Sequence, residues 1–150
     1  MRAVVQRVTE ADVTVSEEIT GKIGRGLVVL LGVEDGDTEK DAAYMAEKIC
    51  GLRIFDDSEG KMNLSVRDIE DGKILAISQF TLLGDARKGK RPGFTAAAKP
   101  DIASRLYRIF IENIKTLGIH TEEGLFQAHM QVRIINDGPV TILLDSNKIF

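Results

Sequence analysis

The sequence predicts an α+β fold, a mostly antiparallel sheet or barrel with two main helices packed against it. Many segments alternate apolar and polar residues, as strands with one buried face do. Only two segments carry apolar residues at helical spacing, and they do not alternate regularly with the strands as a parallel, doubly wound sheet requires. A chain of 150 residues suits one hydrophobic core, so we expect a single domain that spans residues 1–150.

The first half of the chain predicts several strands and one helix. Alternation and valine content indicate strands at 2–9 and 12–15, and the apolar run LVVLLGV indicates a buried strand within 21–33. Asp37 or Thr38 can cap the helix that follows. Its apolar stripe consists of Ala42, Met45, Ala46 and Ile49. Short extended segments are expected at 52–55 and 63–66.

The second half predicts one long strand, a helix and a strand-rich end. Residues 73–83, KILAISQFTLL, form a long apolar run with polar residues in its second half. A helix is expected from Pro100 to Leu117, because proline is favoured in a first turn and Gly118 comes directly after the end. Strands at 130–135 and 140–144 are expected to be joined by a turn at 136–139.

The composition argues against several classes of protein. One Cys and two His are too few for a zinc site with closely spaced ligands, so we expect neither a metal nor another cofactor. The lone Cys50 has no partner for an internal disulfide. The longest apolar run, 27–31, is too short to cross a bilayer, and the N-terminus lacks the apolar core of a signal peptide. We therefore expect a cytoplasmic protein with no membrane contact.

A basic loop stands out in a chain whose net charge is −3. Between residues 87 and 99 there are five cations and no acidic residue: Arg87, Lys88, Lys90, Arg91 and Lys99. Such a run is commonly a solvated face. It also suits local contact with a phosphate backbone.

The segment SQFTL places Ser78, Gln79 and Thr81 close together at the end of an apolar run. These polar groups could bond to neighbouring backbone or face solvent, or they could line a pocket for a polar ligand. Neither a Gly-x-Ser-x-Gly elbow nor a nearby His accompanies them, so the sequence does not support a catalytic triad. The segment NDGPVT, at 136–141, has the composition of an ordinary turn.

Together and in this order, SQFTL, KGKRPGF and NDGPVT resemble the D-aminoacyl-tRNA deacylase family, and the resemblance covers essentially the whole chain. The opening MRAVVQRV and the segment VSEEITGKIGRGLVVLLGV are similar to that family as well. The resemblance implies a homodimer with active sites at the subunit interface. Ser78, Gln79, Phe80 and Thr81 would line the pocket of one subunit, and Gly138 and Pro139, joined by a cis bond, would reach into it from the partner.

The implied activity is hydrolysis of the ester between a D-amino acid and the 3′ end of transfer RNA, as chiral proofreading. Backbone amides near Phe80 and Thr81 would stabilise the oxyanion, and the ribose 2′-hydroxyl would assist. The backbone at Gly138 and Pro139 would reject L side chains, so glycyl-tRNA should also be cleaved. Arg87, Lys88, Lys90 and Arg91 would contact the acceptor end.

Two rival hypotheses remain at this point. The chain could be a general esterase of small acyl esters, in which case free aminoacyl esters would be cleaved without RNA. It could instead be an RNA-binding module that uses the basic loop without turnover. A purely structural role is least supported, because neither heptads nor repeats are visible.

Overall fold

The computed structural model describes all residues from Met1 to Phe150. Its strands are β1 (Arg2–Val15), β2 (Glu18–Ile23), β3 (Gly26–Gly32), β4 (Phe55–Asp56), β5 (Met62–Leu64), β6 (Lys73–Ser78), β7 (His120–Glu123) and β8 (Gln131–Asp145). Its two α-helices are α1 (Glu39–Cys50) and α2 (Pro100–Thr116). Neither helix combines the length and the apolarity that a membrane span needs.

Six of the strands form one sheet that closes nearly into a barrel. The long strand β1 is its centre and runs antiparallel to β2, β3 and β8. Its first half pairs with β3 and its second half with β2, while β8 follows its other edge. Strand β6 runs parallel to both β3 and β7. The predicted fold class, a mostly antiparallel sheet or barrel with two helices, is confirmed.

The core has two parts because the sheet has two apolar faces. The larger cluster lies between the sheet and the two helices and includes the inward residues Ala3, Val5 and Phe110. The smaller one fills the interior of the barrel, with Val8, Val13 and other side chains of β2, β3 and β6. Burial of these apolar side chains is the main force that holds the helices against the sheet.

The helix ends follow the predicted signals. Thr38 caps α1, and the Asp41 carboxylate accepts hydrogen bonds from the Thr38 amide and hydroxyl, both at 2.8 Å. The predicted stripe of α1 is buried throughout. Pro100 is the first residue of α2, where its missing N–H costs no intrahelical bond.

Several boundaries differ from the prediction. Residues 2–15 form one strand rather than two, and the segment at 52–55 is extended only from Phe55 onward. The predicted turn at 136–139 is wrong, because β8 continues through it beside β1. The Asn136 side chain bonds to the backbone there, since its Nδ2 donates to the carbonyl oxygens of Arg7 at 2.9 Å and Val140 at 3.0 Å. The pairing register with β1 shifts at this point instead of the chain reversing.

Candidate active site

A cavity of about 700 Å³ opens where β6 leaves the sheet. Its floor is the end of β6, with Ser78, Gln79 and Phe80. One wall comes from the segment that leads into α2, and the other from the segment between β7 and β8. The lining is mostly apolar and includes Phe94, Ala98, Tyr107, Phe126, His129 and Met130. Such a cavity suits a ligand with a flat apolar part and a few polar groups.

The predicted long strand at 73–83 is wrong in its second half, because β6 ends at Ser78 and a 3₁₀ helix covers Phe80–Leu83. The Gln79 amide still donates to the Leu31 carbonyl of β3, at 2.8 Å. The chain then tightens, and the Leu82 amide donates back to the Gln79 carbonyl at 3.3 Å. Leu83 is buried by this turn rather than by a strand, which explains the apolar pattern that the sequence shows.

The 3₁₀ helix leaves two backbone donors without an acceptor in the chain. Its first internal bond is made by the Leu82 amide, so the amides of Phe80 and Thr81 precede the bonded turn. Both residues are exposed, and Phe80 lines the cavity. Two adjacent N–H groups of this kind can bind an oxygen atom that acquires negative charge.

The side chains of the same segment have different positions. The Ser78 hydroxyl lines the cavity, and no base within the chain is hydrogen-bonded to it. The Gln79 side-chain amide donates to the Thr81 hydroxyl. Thr81 itself is exposed and lies outside the cavity lining. The segment therefore presents backbone donors and one free hydroxyl, and it contains no paired nucleophile and base.

Tyr107 forms part of the wall and is not poised for proton transfer. Its hydroxyl donates to the carbonyl oxygen of Ala76 at 2.9 Å. Burial raises the pKa of this phenol well above its ordinary value, and the nearby Glu123 carboxylate raises it further. The phenol is therefore neutral and fixed at physiological pH, where it shapes the cavity.

The basic loop is a hairpin rooted beside the cavity. Its ends are joined by two backbone bonds between Asp85 and Gly93, of 2.8 and 2.9 Å. Directly after it, the Phe94 ring meets the Phe80 ring edge to face, with centroids 5.1 Å apart. The loop and the 3₁₀ helix are thus neighbours in space as well as in sequence.

The four predicted cations of this hairpin differ in their partners. The Arg87 guanidinium holds Asp85 through side-chain contacts of 2.7 and 2.9 Å, and it keeps the pKa of that carboxyl far below its usual range. Lys88, Lys90 and Arg91 are exposed and form no ion pair within the chain. Three positive charges on a hairpin that ends directly before the cavity residue Phe94 therefore remain available to an anionic ligand.

Gly138 and Pro139 do not line the cavity of their own chain. Both are exposed, and the bond between them is cis. Arg7, buried on the inner face of β1, holds the segment before them. Its Nε donates to the Asp137 carbonyl oxygen at 3.2 Å, and its Nη1 donates to the Ile54 carbonyl oxygen at 2.7 Å. Gly138 and Pro139 are thus exposed on the surface, and Arg7 holds the residue directly before them in place.

Several residues of the site were not predicted from the sequence. The cavity wall around Phe126 and Met130 comes from a segment that carries no motif, and Phe94, the last residue of KGKRPGF, was given no role of its own. Arg7 did leave a signal, because the alternation of 2–9 places it on the same face as Ala3 and Val5. A cation on a buried face needs hydrogen-bond acceptors, and Arg7 finds them in the carbonyl oxygens of Asp137 and Ile54.

Free backbone donors beside an apolar cavity, without a nucleophile and base pair, form an arrangement that can bind a negatively charged oxygen with the main chain, as some hydrolases do. Residues 4–145 match the model of the family described as D-Tyr-tRNA(Tyr) deacylase. Relatives named D-aminoacyl-tRNA deacylase are 61% identical in Desulforamulus reducens and 58% identical in Thermotoga petrophila. Each alignment covers 100% of this chain and 100% of the relative.

Two solved structures are also similar to this chain. One is titled c-Myc DNA Unwinding Element Binding Protein and superposes with a TM-score of 0.90 at 45% identity, covering 97% of this chain and 98% of that chain. A probable eukaryotic D-amino acid tRNA deacylase shares the fold, with a TM-score of 0.80 at 17% identity and coverage of 95% and 97%. The chain belongs to the D-Tyr-tRNA(Tyr) deacylase family, and the predictions of this family and of a hydrolase are confirmed.

Proposed function

We propose that the chain hydrolyses the ester of D-aminoacyl-tRNA and releases free tRNA and the D-amino acid. The observation that carries this proposal is the pair of unpartnered amides at Phe80 and Thr81, the first of which lines an apolar cavity. The family membership and the names of the relatives support the substrate. The expected cytoplasmic location and the single domain spanning 1–150 belong to the same proposal.

The chemistry needs little from side chains. Water adds to the ester carbonyl carbon, and the Phe80 and Thr81 amides hold the oxygen that becomes negative. The bond from that carbon to the ribose oxygen then breaks, and the ribose oxygen takes up the proton that the water gives up. The ribose 2′-hydroxyl of the substrate assists by orienting the water. This arrangement agrees with a site in which no base is hydrogen-bonded to Ser78.

The backbone donors can be tested by deleting one of them. Phe80→Pro removes the amide N–H, and Gln79 before it, at φ −145° and ψ 82°, lies outside the helical region that a following proline disfavours. We expect kcat to fall by about 100- to 1000-fold. Phe80→Ala is the matched control, because it removes the ring and keeps the amide. Equal kcat values for the two variants would contradict the role of the amide.

Thr81 should not act as a nucleophile or base. Thr81→Ala is expected to keep its kcat within about tenfold of the wild type, since general acid–base or covalent roles contribute more than that. The variant's fold and tRNA binding are checked in parallel. Complete loss of activity with both intact would show that the hydroxyl takes part in the chemistry.

The second part of the proposal is a homodimer in which Gly138 and Pro139 of the partner subunit reach into the cavity. Two observations support it: these residues are exposed and do not line their own cavity, and the strand that carries them exposes Ile135 and Leu143, at 45% and 56%. Mixing Phe80→Pro and Gly138→Ala chains tests it. Heterodimers contain one intact site, so activity above that of either variant alone is expected. No gain, with heterodimers present, would contradict a shared site.

The backbone of Gly138 and Pro139 would act as the chiral filter. It would fix the amino group and the Cα–H, leaving a D side chain free to point outward while an L side chain meets the main chain. Glycine has no Cβ and escapes such a filter. Cleavage of glycyl-tRNA is therefore expected, and complete resistance of glycyl-tRNA would contradict the steric mechanism.

A further inference from the structure

The 3₁₀ helix that carries the two free amides is held at its far end by a side chain from β1. Arg2 Nη1 donates to the carbonyl oxygen of Leu82 at 3.0 Å. The Leu82 carbonyl belongs to the peptide group between Leu82 and Leu83, and one peptide group separates it from the group that carries the Thr81 N–H. The bond therefore holds the same short turn that carries the two donors. The last carbonyls of a helix lack internal partners, and a guanidinium is a favourable partner for them.

Arg2 is itself held rigidly by Asp145, the last residue of β8. The two are directly opposite each other in the β1–β8 ladder, and Arg2 Nε lies 3.1 Å from Asp145 Oδ2. The Asp145 side chain is completely buried, and its other oxygen accepts the Asn147 amide at 2.8 Å. A buried carboxylate with both oxygens engaged fixes the guanidinium in one position.

The strand β3, on the other edge of β1 from β8, explains why the 3₁₀ turn packs so closely against the sheet. Gly32 of β3 is the neighbour of Arg2 on that side. A Cβ at Gly32 would overlap Leu83 Cδ2 and would lie 2.9 Å from the Gln79 carbonyl oxygen. The turn therefore rests directly on the backbone of β3. Its beginning is fixed by the bond from Gln79 to Leu31 and its end by Arg2.

We propose that Arg2 is a positioning residue for the oxyanion site: anchored by Asp145, it holds the Leu82 carbonyl and so aims the Phe80 and Thr81 amides. The inference rests on the proposed deacylase function. Arg2 does not line the cavity. Its loss should therefore lower kcat and leave KM nearly unchanged. A misplaced oxyanion donor stabilises the transition state less well, whereas it contributes little to binding of the ground state.

A double variant can distinguish an effect on the position of the Phe80 and Thr81 amides from an effect on the stability of the whole protein. In R2M/D145L both charges are replaced by apolar side chains, a change that commonly leaves the stability of a buried pair intact. We expect a Tm near that of the wild type, a kcat at least about tenfold lower and a KM within about twofold on D-tyrosyl-tRNA. The Phe80 and Thr81 amide resonances should shift in the ¹H–¹⁵N spectrum. R133M is the matched control, because Arg133 forms a cross-strand pair with Asp12 on the same two strands.

A folded R2M/D145L variant with wild-type kcat and unshifted Phe80 and Thr81 resonances would overturn the proposal. If the double variant does not fold, R2K decides the matter. A lysine lacks the fork that serves Leu82 and Asp145 together, so a reduced kcat is expected and an unchanged one would overturn the proposal. The wild-type assay is run in parallel. An inactive wild type would count against the deacylase function, whereas the amide shifts test the role of Arg2 independently of turnover.

Discussion

Arg7 Nε donates to the carbonyl oxygen of Asp137 at 3.2 Å, which ties a buried cation to the residue directly before Gly138. The same side chain also lies 3.1 Å from the Asp137 carboxylate and 3.5 Å from that of Asp56. Only 8% of the Arg7 side chain is exposed, while the two carboxylates are half exposed. Arg7 therefore connects the core of the sheet to the surface segment that we assign to the partner's active site.

Replacement of Arg7 by methionine should affect both stability and activity. The Ile54 carbonyl would lose its buried donor, which costs about 1–3 kcal/mol of unfolding free energy. The segment around Gly138 would lose its anchor, so the preference for D over L substrates should decrease. Denaturant unfolding and deacylation of both substrates measure these effects. Arg105→Met is the control, since Arg105 forms only an exposed pair with Glu39. Unchanged chiral preference in a folded Arg7→Met variant would contradict this role of Arg7.

Gly138→Ala should impair the site through local backbone geometry. Gly138 has φ +120°, and an added Cβ would lie 2.8 Å from Val140 Cγ2 and 3.1 Å from Arg7 Nη2. We expect a loss of about 1–3 kcal/mol in unfolding free energy and a clear fall in kcat on D-tyrosyl-tRNA. Gly60→Ala provides the comparison, because Gly60 also has a positive φ, +75°, but has open space around it. Equal activity of the two variants would contradict a role for Gly138 in the site.

Neutralising the free cations of the hairpin should weaken tRNA binding and flatten its salt dependence. The variant replaces Lys88, Lys90 and Arg91 with glutamine. Each cation that binds a phosphate in the wild type contributes about 0.7, the value for single strands, to the slope of log K against log salt. The slope of the variant should therefore be shallower by that amount for every such cation. The control replaces three exposed lysines away from the cavity, namely Lys22, Lys40 and Lys48. If the hairpin variant and the control have the same slope, the hairpin is a solvated surface.

Cys50 should make the protein less stable at alkaline pH. Burial raises the pKa of its thiol from the ordinary value of 9.0 to about 11. The folded state thus binds this proton more tightly than the unfolded state does. The contribution to stability is complete below pH 9 and is lost as the pH rises towards 11. Unfolding curves across this range for the wild type and Cys50→Ala should converge as the pH rises, and parallel curves would contradict the shifted pKa.

The helices and most of the strands could be predicted because their signals are local. The Thr38 cap and the Pro100 start depend on a few adjacent residues, and both are confirmed. The end of β6 could not be predicted in this way. The apolar pattern of 73–83 is the same whether Leu83 is buried by a strand or by a 3₁₀ turn that rests on Gly32.

The site was predictable only where a motif lies on one continuous segment. Ser78, Gln79 and Phe80 line the cavity together, but its walls come from distant segments around Phe94 and Phe126. The bonds from Arg2 to Leu82 and Asp145 join residues 80 and 143 positions apart. Periodicity cannot reveal pairings of this range, because they depend on strand order and register.

The proposed chiral deacylase activity is most directly tested by deacylation of D-tyrosyl-tRNA and L-tyrosyl-tRNA in parallel at low enzyme concentration. We predict rapid loss of the D-ester, with the L-ester decaying no faster than it does without enzyme. Cleavage of both esters would indicate a general esterase and contradict the filter at Gly138 and Pro139. Cleavage of neither would contradict the deacylase function itself.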